Sequence, residues 1–184
     1  MKTSKMQEIK DLGPWYQEFM IDGRLTTKRP LFSEADFAII RTLIPRGMKG
    51  KKMVDLGCNA GLVSFKLKDA FDAEVIAVEN NPKYLAQAHF LLNMEECVFP
   101  KINLVEMDIE EFKIPADVDL VFALSVLYHL KNPKEMIRRL CEGKYSVIAG
   151  FRISLYDKYI KMFTKKKVRE VTYAHGKKKA ALFV

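Results

Sequence analysis

Residues 54–61 read Val54-Asp55-Leu56-Gly57-Cys58-Asn59-Ala60-Gly61, and Glu79 follows this stretch eighteen residues later. The apolar start indicates a buried strand, and the glycines indicate a turn from which a helix begins. A backbone without a Cβ lets a ligand approach closely, and a carboxylate at the end of the next strand can accept hydrogen bonds from two ribose hydroxyls. The stretch therefore predicts a nucleotide pocket.

The glycine spacing decides which nucleotide the pocket suits. A dinucleotide fingerprint has glycines at positions i, i+2 and i+5. This chain has Gly57, Asn59 and Leu62 there, and its other glycine in the loop is Gly61. No Gly-Lys-Ser/Thr follows, so the loop is not a P-loop either. The spacing thus argues against phosphate binding and against a nicotinamide dehydrogenase.

Apolar and amphipathic segments alternate along the middle of the chain. The prolines at 82 and 133 suit a first helical position, and Ser33 to Asp36 suits a capped helix start. Such alternation predicts a parallel, doubly wound α/β sheet. Strands are predicted at 51–56, 74–79, 102–107, 118–124 and 145–153, and helices at 33–44, 62–71, 82–95 and 133–143.

The C-terminal segment has a different pattern. Residues 155–163 have apolar residues at helical spacing, and residues 168–173 and 180–184 predict two strands joined by a turn at 174–177. A hairpin after five parallel strands predicts a seven-stranded sheet, mostly parallel, with an antiparallel C-terminal hairpin strand. We therefore expect a single domain over 1–184, made of an N-terminal helical or lid segment (1–50), a cofactor-binding core (51–153) and a basic helix with the terminal hairpin (154–184).

The net charge of +8 is distributed unevenly. Residues 1–52 carry a net charge of +5, residues 53–150 carry −5 and residues 151–184 carry +8. Basic flanks beside an acidic core suit a polyanionic partner such as RNA. The lysine runs at 165–167 and 177–179 fit contacts with phosphate, or solvated ends that keep the protein soluble.

Composition argues against several other classes of protein. No apolar run approaches the ~20 residues that a membrane-spanning helix needs, and the first residues lack the apolar core of a signal peptide. Cys58, Cys97 and Cys141 have no metal-ligand or redox spacing, and the three histidines lie far apart in sequence. We therefore expect no metal site, no membrane span and a reducing, cytoplasmic environment.

The pattern from Asp55 to Gly61 resembles the first motif of the class I S-adenosylmethionine (SAM) methyltransferases, Asp-x-Gly-x-x-x-Gly, which wraps the methionine and ribose of a cofactor without phosphate. Two other stretches narrow the resemblance: Pro-Trp-Tyr at 14–16, followed by Asp-Gly-Arg-Leu-Thr at 22–26, and Val-Leu-Tyr-His-Leu-Lys-Asn-Pro at 126–133. With Gly-Cys-Asn at 57–59, they resemble the tRNA wobble-uridine (5-oxyacetyl-uridine) carboxymethyltransferase branch over residues 14–153.

This resemblance implies the Rossmann-like class I methyltransferase fold, SAM as cofactor and a set of cofactor contacts. One group of residues would face the methionine, a glutamate would hold the ribose, and a third group would surround the adenine. The residues implied for the methionine are Asp55, Gly57, Cys58, Asn59 and Gly61, and the residue implied for the ribose is Glu79. The residues implied for the adenine are Asn80, Asp108, Ile109 and Leu124 through its carbonyl. Asp108 has an alternative interpretation as a helix-capping residue.

Tyr128 and His129 are the candidate catalytic residues. They follow the predicted strand 118–124, at the edge of the sheet where ligands bind in open α/β folds. By the resemblance, Tyr128 helps to orient the transferable group. His129 could accept a proton from an acceptor hydroxyl, or it could be a packing residue bonded to backbone.

The sequence departs from the wobble-uridine branch at one informative place. Tyr16 and Gln17 occupy the region in which that branch has a lysine that anchors the carboxylate of carboxy-SAM. This favours plain SAM over carboxy-SAM, unless a basic residue such as Arg29 or Arg152 replaces the lysine. We therefore expect a SAM-dependent methyltransferase acting on RNA, with tRNA as the favoured acceptor; the alternatives are a small-metabolite methyltransferase, or a non-catalytic subunit with a protein or RNA partner.

Overall fold

A seven-stranded sheet forms the centre of the protein in a computed structural model, which describes residues 5–94, 100–150, 159, 162–163, 167–173 and 178–184. A two-stranded hairpin precedes the sheet, with β1 at Met20–Ile21 and β2 at Arg24–Leu25. The sheet strands are β3 (Lys52–Leu56), β4 (Glu74–Glu79), β5 (Asn103–Glu106), β6 (Leu120–Leu124), β7 (Tyr145–Gly150), β8 (Lys167–Tyr173) and β9 (Lys178–Phe183). The helices are α1 (Lys5–Asp11), α2 (Glu34–Arg41), α3 (Leu62–Phe71), α4 (Pro82–Leu92) and α5 (Pro133–Glu142).

The order of the strands in the sheet is β5-β4-β3-β6-β7-β9-β8. Strands β3 to β7 are parallel, and β9 is inserted antiparallel between β7 and β8. This confirms the predicted seven-stranded, mostly parallel sheet with its antiparallel C-terminal hairpin. The chain runs outward from β3 through β4 to β5, then returns to place β6 on the other side of β3. Such a reversal opens a crevice at the carboxyl ends of the strands, where α/β proteins bind ligands.

Both faces of the sheet are buried, as the apolar strands predict. Leu120 and Phe122 of β6 pack on the face covered by α2, α3 and the N-terminal segment. Val121 and Ala123 alternate with them and pack on the opposite face, against α5. Full burial of side chains such as Leu or Phe contributes about 1.5–3 kcal/mol each. The two apolar layers therefore hold the carboxyl ends of β3, β4 and β6 in fixed positions.

Three helices begin at the polar residues that the sequence places there. Ser33 Oγ accepts a hydrogen bond from Asp36 N at 3.2 Å, and Asp36 Oδ2 accepts one from Ser33 N at 2.9 Å, which makes a reciprocal capping box for α2. Asn81 caps α4 and Asn132 caps α5, each followed by proline at the first helical position. These caps fix the entry points of the helices next to the crevice.

Some predicted boundaries differ from the structure. The bounds of α3 and β4 agree with the sequence, whereas α2 ends at Arg41 rather than 44, because Leu43 and Ile44 continue in tight turns that still bury both side chains. Helix α4 ends at Leu92, and β5 and β6 are shorter than predicted, with Val118 in a turn bonded to Pro115 O. The end of the predicted strand 145–153, most of the helix 155–163 and the turn 174–177 lie outside the described residues.

The N-terminal segment is less helical than predicted. Asp22 (φ 47°) and Gly23 (φ 72°) form the turn between β1 and β2. Both residues have positive φ, as a two-residue type I′ hairpin turn requires. The sequence Asp22-Gly23 carried this signal, but strands of two residues show no alternating pattern that would reveal them.

Candidate cofactor site

A cavity of about 480 Å³ lies at the carboxyl ends of β3, β4 and β6, where the strand order reverses. The structure brings together at its walls all the predicted site residues except Gly61. These residues are Asp55, Gly57, Cys58, Asn59, Glu79, Asn80, Asp108, Ile109, Leu124, Tyr128 and His129. Segments far apart in the sequence thus meet at one place.

The loop after β3 is shaped by two residues with positive φ, Gly57 (72°) and Asn59 (57°). Gly57 N and Cys58 N donate to Val78 O at 2.8 and 3.0 Å, which ties the loop to the end of β4. A Cβ on Gly57 would lie 3.2 Å from Val126 Cγ2, so a side chain would not fit without movement. Burial raises the pKa of the Cys58 thiol, so this residue is suited to packing rather than to nucleophilic chemistry.

Gly61 is the one predicted site residue that is not at the cavity wall, and its closeness to the methionine stays a prediction. Gly61 is the N-cap residue of α3 and has a φ of 94°. A Cβ at this position would lie 3.0 Å from Phe65 Cε2. The glycine therefore lets the chain enter α3 over the buried Phe65 ring. Sequence spacing alone does not distinguish a glycine that faces a ligand from one that faces its own helix.

Gly61→Ala should therefore destabilise the fold more than a glycine replacement with a similar backbone angle and open surroundings. Gly47 is the matched control, since its φ is 79° and a Cβ added there would meet no atom within 4 Å. We expect Gly47→Ala to lower the free energy of unfolding by about 1 kcal/mol, because alanine is strained in a left-handed backbone. Gly61→Ala should lower it by about 1–3 kcal/mol more, because the added Cβ overpacks against Phe65. Chemical denaturation measures both; equal losses would contradict this role.

Glu79 ends β4 with its side chain buried beside the loop. Oε2 accepts a hydrogen bond from Asn59 N at 2.9 Å, and Oε1 accepts from Asn80 N at 3.0 Å and Asn81 N at 2.9 Å. Three backbone donors thus hold the carboxylate in one orientation at the cavity wall. A carboxylate in this place suits a ligand with hydroxyl donors, such as a ribose.

Asp55 is the second buried carboxyl group of the site, 2% exposed on β3. Ser64 Oγ, in the first turn of α3, donates to Asp55 Oδ2 at 2.7 Å. The pKa of Asp55 is raised to about 7, chiefly by desolvation and also by the nearby Glu79 charge, although the Ser64 hydrogen bond acts in the opposite direction. Near neutral pH the site therefore contains a carboxyl group that is close to its titration point.

Asp108 and Ile109 follow β5 and form the adjacent wall. Asp108 Oδ1 accepts a hydrogen bond from Glu110 N at 2.8 Å, which closes a turn; residues 109–111 form no helix, so the helix-capping interpretation of Asp108 is wrong. Ile109 is buried, and it gives this part of the cavity an apolar surface. A flat aromatic ring is the kind of group that fits beside such a wall.

The segment after β6 presents Tyr128 and His129 on one turn of 3₁₀-helix. Both side chains are exposed, and their ring centroids lie 4.3 Å apart. Glu110 holds the next residues, because its carboxylate accepts hydrogen bonds from Lys131 N at 3.1 Å and Asn132 N at 2.9 Å. The two candidate catalytic rings therefore lie on a supported turn at the cavity mouth.

Several residues at the cavity were not among the predicted site residues. Gln17 is buried, donates from Nε2 to Cys58 O at 3.2 Å and accepts from Leu62 N at 3.0 Å, so it clamps both ends of the glycine loop. Tyr16 and Tyr84 meet edge to face at 6.3 Å near the opening. Lys178 reaches the cavity from β9. The three-dimensional fold brings these residues to the site: Tyr16 belongs to the Pro-Trp-Tyr stretch, whereas Gln17, Tyr84 and Lys178 have no local motif.

Comparison with known proteins supports the sequence-based resemblance. Residues 54–142 match the methyltransferase domain family. The chain is 28% identical to the tRNA U34 carboxymethyltransferase of Campylobacter lari over 138 residues, which are 73% of this chain and 46% of that protein. It is 31% identical to the enzyme of that name from Helicobacter acinonychis over 141 residues, covering 73% of this chain and 51% of that protein. The chain thus spans about half the length of these curated relatives.

Solved structures confirm the fold. The N-terminal domain of EvdMO1, crystallised with S-adenosylhomocysteine (SAH), aligns with a TM-score of 0.71 at 14% identity over 97% of this chain and 93% of that chain. The methyltransferase in complex with the Haloferax volcanii Trm112 activator aligns with a TM-score of 0.67 at 11% identity, over 82% of this chain and 88% of that chain. The predicted class I SAM methyltransferase fold is therefore correct.

Metal-binding clusters and membrane-spanning helices are both absent from the described part of the chain. Within residues 5–94, 100–150 and the other described positions, no cluster of three or more His, Cys, Asp or Glu side chains could hold a metal ion. None of the helices in these same ranges has the length and apolar character needed to cross a bilayer.

Proposed function

We propose that this chain, which carries a methyltransferase domain over residues 54–142, transfers a methyl group from SAM to RNA, with tRNA as the preferred acceptor. The observation that carries the proposal is the position of Glu79. Its buried carboxylate ends β4 beside the Gly57 loop, at the sheet edge where the strand order reverses. A ribose hydroxyl donor fits this carboxylate, and the loop gives the rest of a nucleoside close access to backbone.

The site residues then have the following proposed roles. Glu79 binds the ribose, and Asp55 and the loop of Gly57, Cys58 and Asn59 surround the methionine. Asp108, Ile109, Asn80 and the Leu124 carbonyl bound the adenine. When bound, the cofactor supplies a methyl group on a positively charged sulfur, so the main task of the protein is to align the acceptor. Such alignment can contribute about 7–11 kcal/mol to lowering the barrier.

The N-terminal segment is the proposed lid of this single domain. Tyr16, Gln17, Leu31 and Phe32 line the cavity although they precede the core. Gln17 donates to Cys58 O, and Phe32 packs edge to face on Tyr173 at 6.1 Å. These contacts attach the segment to both sides of the crevice. Closure over the cofactor would exclude water from the transfer step.

The proposed cofactor is SAM, which donates a methyl group, rather than carboxy-SAM, which donates a carboxymethyl group. In the region where the related branch has a carboxylate-binding lysine, this chain has Tyr16 and Gln17, and the Gln17 oxygen and nitrogen already bond to Leu62 N and Cys58 O. A neutral, occupied amide is a poor anchor for a carboxylate. Of the alternative cations considered from sequence, Arg29 is exposed, and Arg152 lies outside the described residues.

RNA is the proposed acceptor because of the relatives and the charge distribution. The matched relatives are tRNA U34 carboxymethyltransferases by name. Exposed Lys28 and Arg29 come just before Leu31 of the cavity wall, Lys131 lines the wall, and Lys179 is exposed next to Lys178. Basic residues around an active-site mouth attract a phosphate backbone. Action on tRNA would place the protein in the cytoplasm.

A second candidate function is that of a methyltransferase subunit activated by a protein partner. The solved complex of a similarly folded methyltransferase with the Trm112 activator favours this candidate. It differs from the first in one measurable property: the isolated chain would bind SAM but would not turn over until its partner is added.

The test has two steps. Calorimetric titration with SAM, SAH, carboxy-SAM and NAD should show micromolar binding of SAM and SAH, with weaker binding of carboxy-SAM and none of NAD. Incubation with methyl-labelled SAM should then label the tRNA fraction of a total RNA pool, and the label should be released by ribonuclease. RNA affinity should fall as salt rises from about 50 to 200 mM. Label in a small-molecule extract but not in RNA would contradict the RNA proposal, and absence of SAM binding would contradict the enzyme proposal.

A further inference from the structure

Lys178 is a buried cation in the wall of the cavity. It is the first residue of β9, its side chain is 5% exposed, and Nζ donates to Leu31 O at 3.1 Å. Lys178, Ala180 and Leu182 lie on the same buried face of the strand, where the alternating pattern calls for apolar residues. Burial lowers the pKa of Lys178, and the Asp36 carboxylate acts in the opposite direction. Burying an ammonium is costly, so this position calls for an explanation.

Two residues with hydroxyl groups lie on elements near this lysine, Tyr173 on β8 and Ser125 after β6. Tyr173 is directly opposite Lys178 in the β8–β9 pair, so the two side chains share a face of the sheet. The Tyr173 hydroxyl is buried and makes no hydrogen bond of ordinary geometry within the described part of the chain. Ser125 lies close enough to act on the pKa of Tyr173, which burial nevertheless raises to about 12. Ser125 itself lines the cavity with a positive φ of 57°.

Charge is divided between the two sides of the cavity. The acidic lining residues lie near the ends of β3 and β4 or follow β5, namely Asp55, Glu79, Asp108 and Glu110, and the basic Lys131 lies next to Glu110 on this side. Lys178 enters from β9, on the other side of β6. The acidic side suits a cofactor with a cationic sulfur and an amino group. The side with Lys178 and Ser125 suits an anion, because an ammonium and a hydroxyl both donate to oxygen.

We infer that Lys178, together with Ser125 of the same cavity wall, forms an oxyanion-binding subsite for the methyl acceptor. This inference rests on the proposed function, and it narrows the acceptor to molecules that present an oxyanion at the β6–β9 side of the cavity. The oxyanion is either an ionised phenol- or enol-type hydroxyl, which is itself the nucleophile, or a carboxylate beside the reacting atom. An ammonium here favours the ionised form of an acidic hydroxyl, so no strong base is needed at the site.

Small aromatic probes test the subsite without requiring turnover. Binding of benzoate, 4-nitrophenolate and the neutral benzamide is measured by NMR titration, with and without saturating SAH. We expect wild-type protein to bind an anionic probe in preference to benzamide, and Lys178→Met to weaken anion binding about tenfold or more while benzamide binding is unchanged. Lys178→Arg should restore part of the affinity.

The matched control is Lys179→Met, which changes an exposed neighbour that pairs with Glu170 Oε1 at 3.0 Å and should leave anion binding unchanged. Preference for 4-nitrophenolate would identify the nucleophilic hydroxyl as the anion, and preference for benzoate would identify a carboxylate. Equal binding of anions and benzamide by wild-type protein, including no binding of either, would overturn the inference, and this comparison does not depend on the folding of Lys178→Met. Failure to bind SAH would count against the proposed function alone, because the anion titration is also made without it.

Discussion

Glu79→Gln is expected to weaken SAH binding by about tenfold to a hundredfold. A hydrogen bond to a charged group contributes about 1.5–3 kcal/mol, and each 1.4 kcal/mol is about a tenfold change in affinity. The amide also disturbs the hydrogen bonds within the protein. If its oxygen faces Asn80 N and Asn81 N, its nitrogen faces the Asn59 N–H donor, so two donors oppose each other across the glycine loop. The substitution thus removes the acceptor for a ribose hydroxyl and, at the same time, displaces the Asn59 backbone.

Glu106→Gln is the matched control for this experiment. Glu106 pairs with Glu79 in the sheet, at the same level of the next strand, but its side chain is exposed and does not line the cavity. We expect calorimetry to give the same SAH affinity for Glu106→Gln as for wild-type protein. An affinity of Glu79→Gln within about threefold of wild type would show that Glu79 is a structural brace for the loop and not a ligand residue.

The geometry of Glu79 also indicates how the ribose is held. A carboxylate offers about four acceptor positions, and the backbone of Asn59, Asn80 and Asn81 uses three of them. One position on Oε2 is therefore open to a ribose hydroxyl without displacement of a backbone donor. A second hydroxyl contact would require the carboxylate to give up one of its present partners.

Local patterns in the sequence were sufficient to predict the sheet and to name residues that the fold brings to one cavity. The β4 run is apolar on both faces and ends at an acidic residue, so its limits and the position of Glu79 follow from composition. Helix α3 begins where the glycine turn ends, and α4 and α5 begin at proline. In parallel strands the carboxyl ends meet at one edge, so predicted strand ends were enough to bring distant residues together.

What could not be predicted depends on contacts between distant segments. Lys178 lies in a run of three lysines, which is typical of a solvated segment. In the structure it is buried, because β9 pairs with both β7 and β8. Gln17 precedes the Gly57 loop by forty residues, and its two hydrogen bonds exist only after the N-terminal segment folds over α3. The contact of Gly61 with the Phe65 ring likewise exists only in the folded protein.

Asp55→Asn is expected to change the pH dependence of stability. The pKa of Asp55 is about 7 in the folded protein and ordinarily 3.8. Because the folded pKa lies above the unfolded one, the folded state binds the proton more tightly. The stability that this proton provides is full below the unfolded pKa and is lost as pH rises through about 7. With 1.36 kcal/mol per pKa unit, wild type should lose about 2 kcal/mol between pH 5.5 and pH 8 through this group.

Urea denaturation of wild type and Asp55→Asn at about pH 5.5 and pH 8 measures this loss as a difference between the two proteins. The Asn variant keeps an oxygen for the Ser64 hydroxyl but has no proton to lose, so it should gain stability relative to wild type as pH rises. Asp117→Asn is the control, because the exposed Asp117 pairs with Lys52, which holds its pKa below the usual value, and it does not titrate in this range. A constant difference between wild type and Asp55→Asn would mean that Asp55 stays ionised throughout. With a pKa of about 7, Asp55 should release a proton when a cationic ligand binds near pH 7, and the Asn variant should release none. If Asp55 were ionised throughout, wild-type protein would also bind such a ligand without releasing a proton.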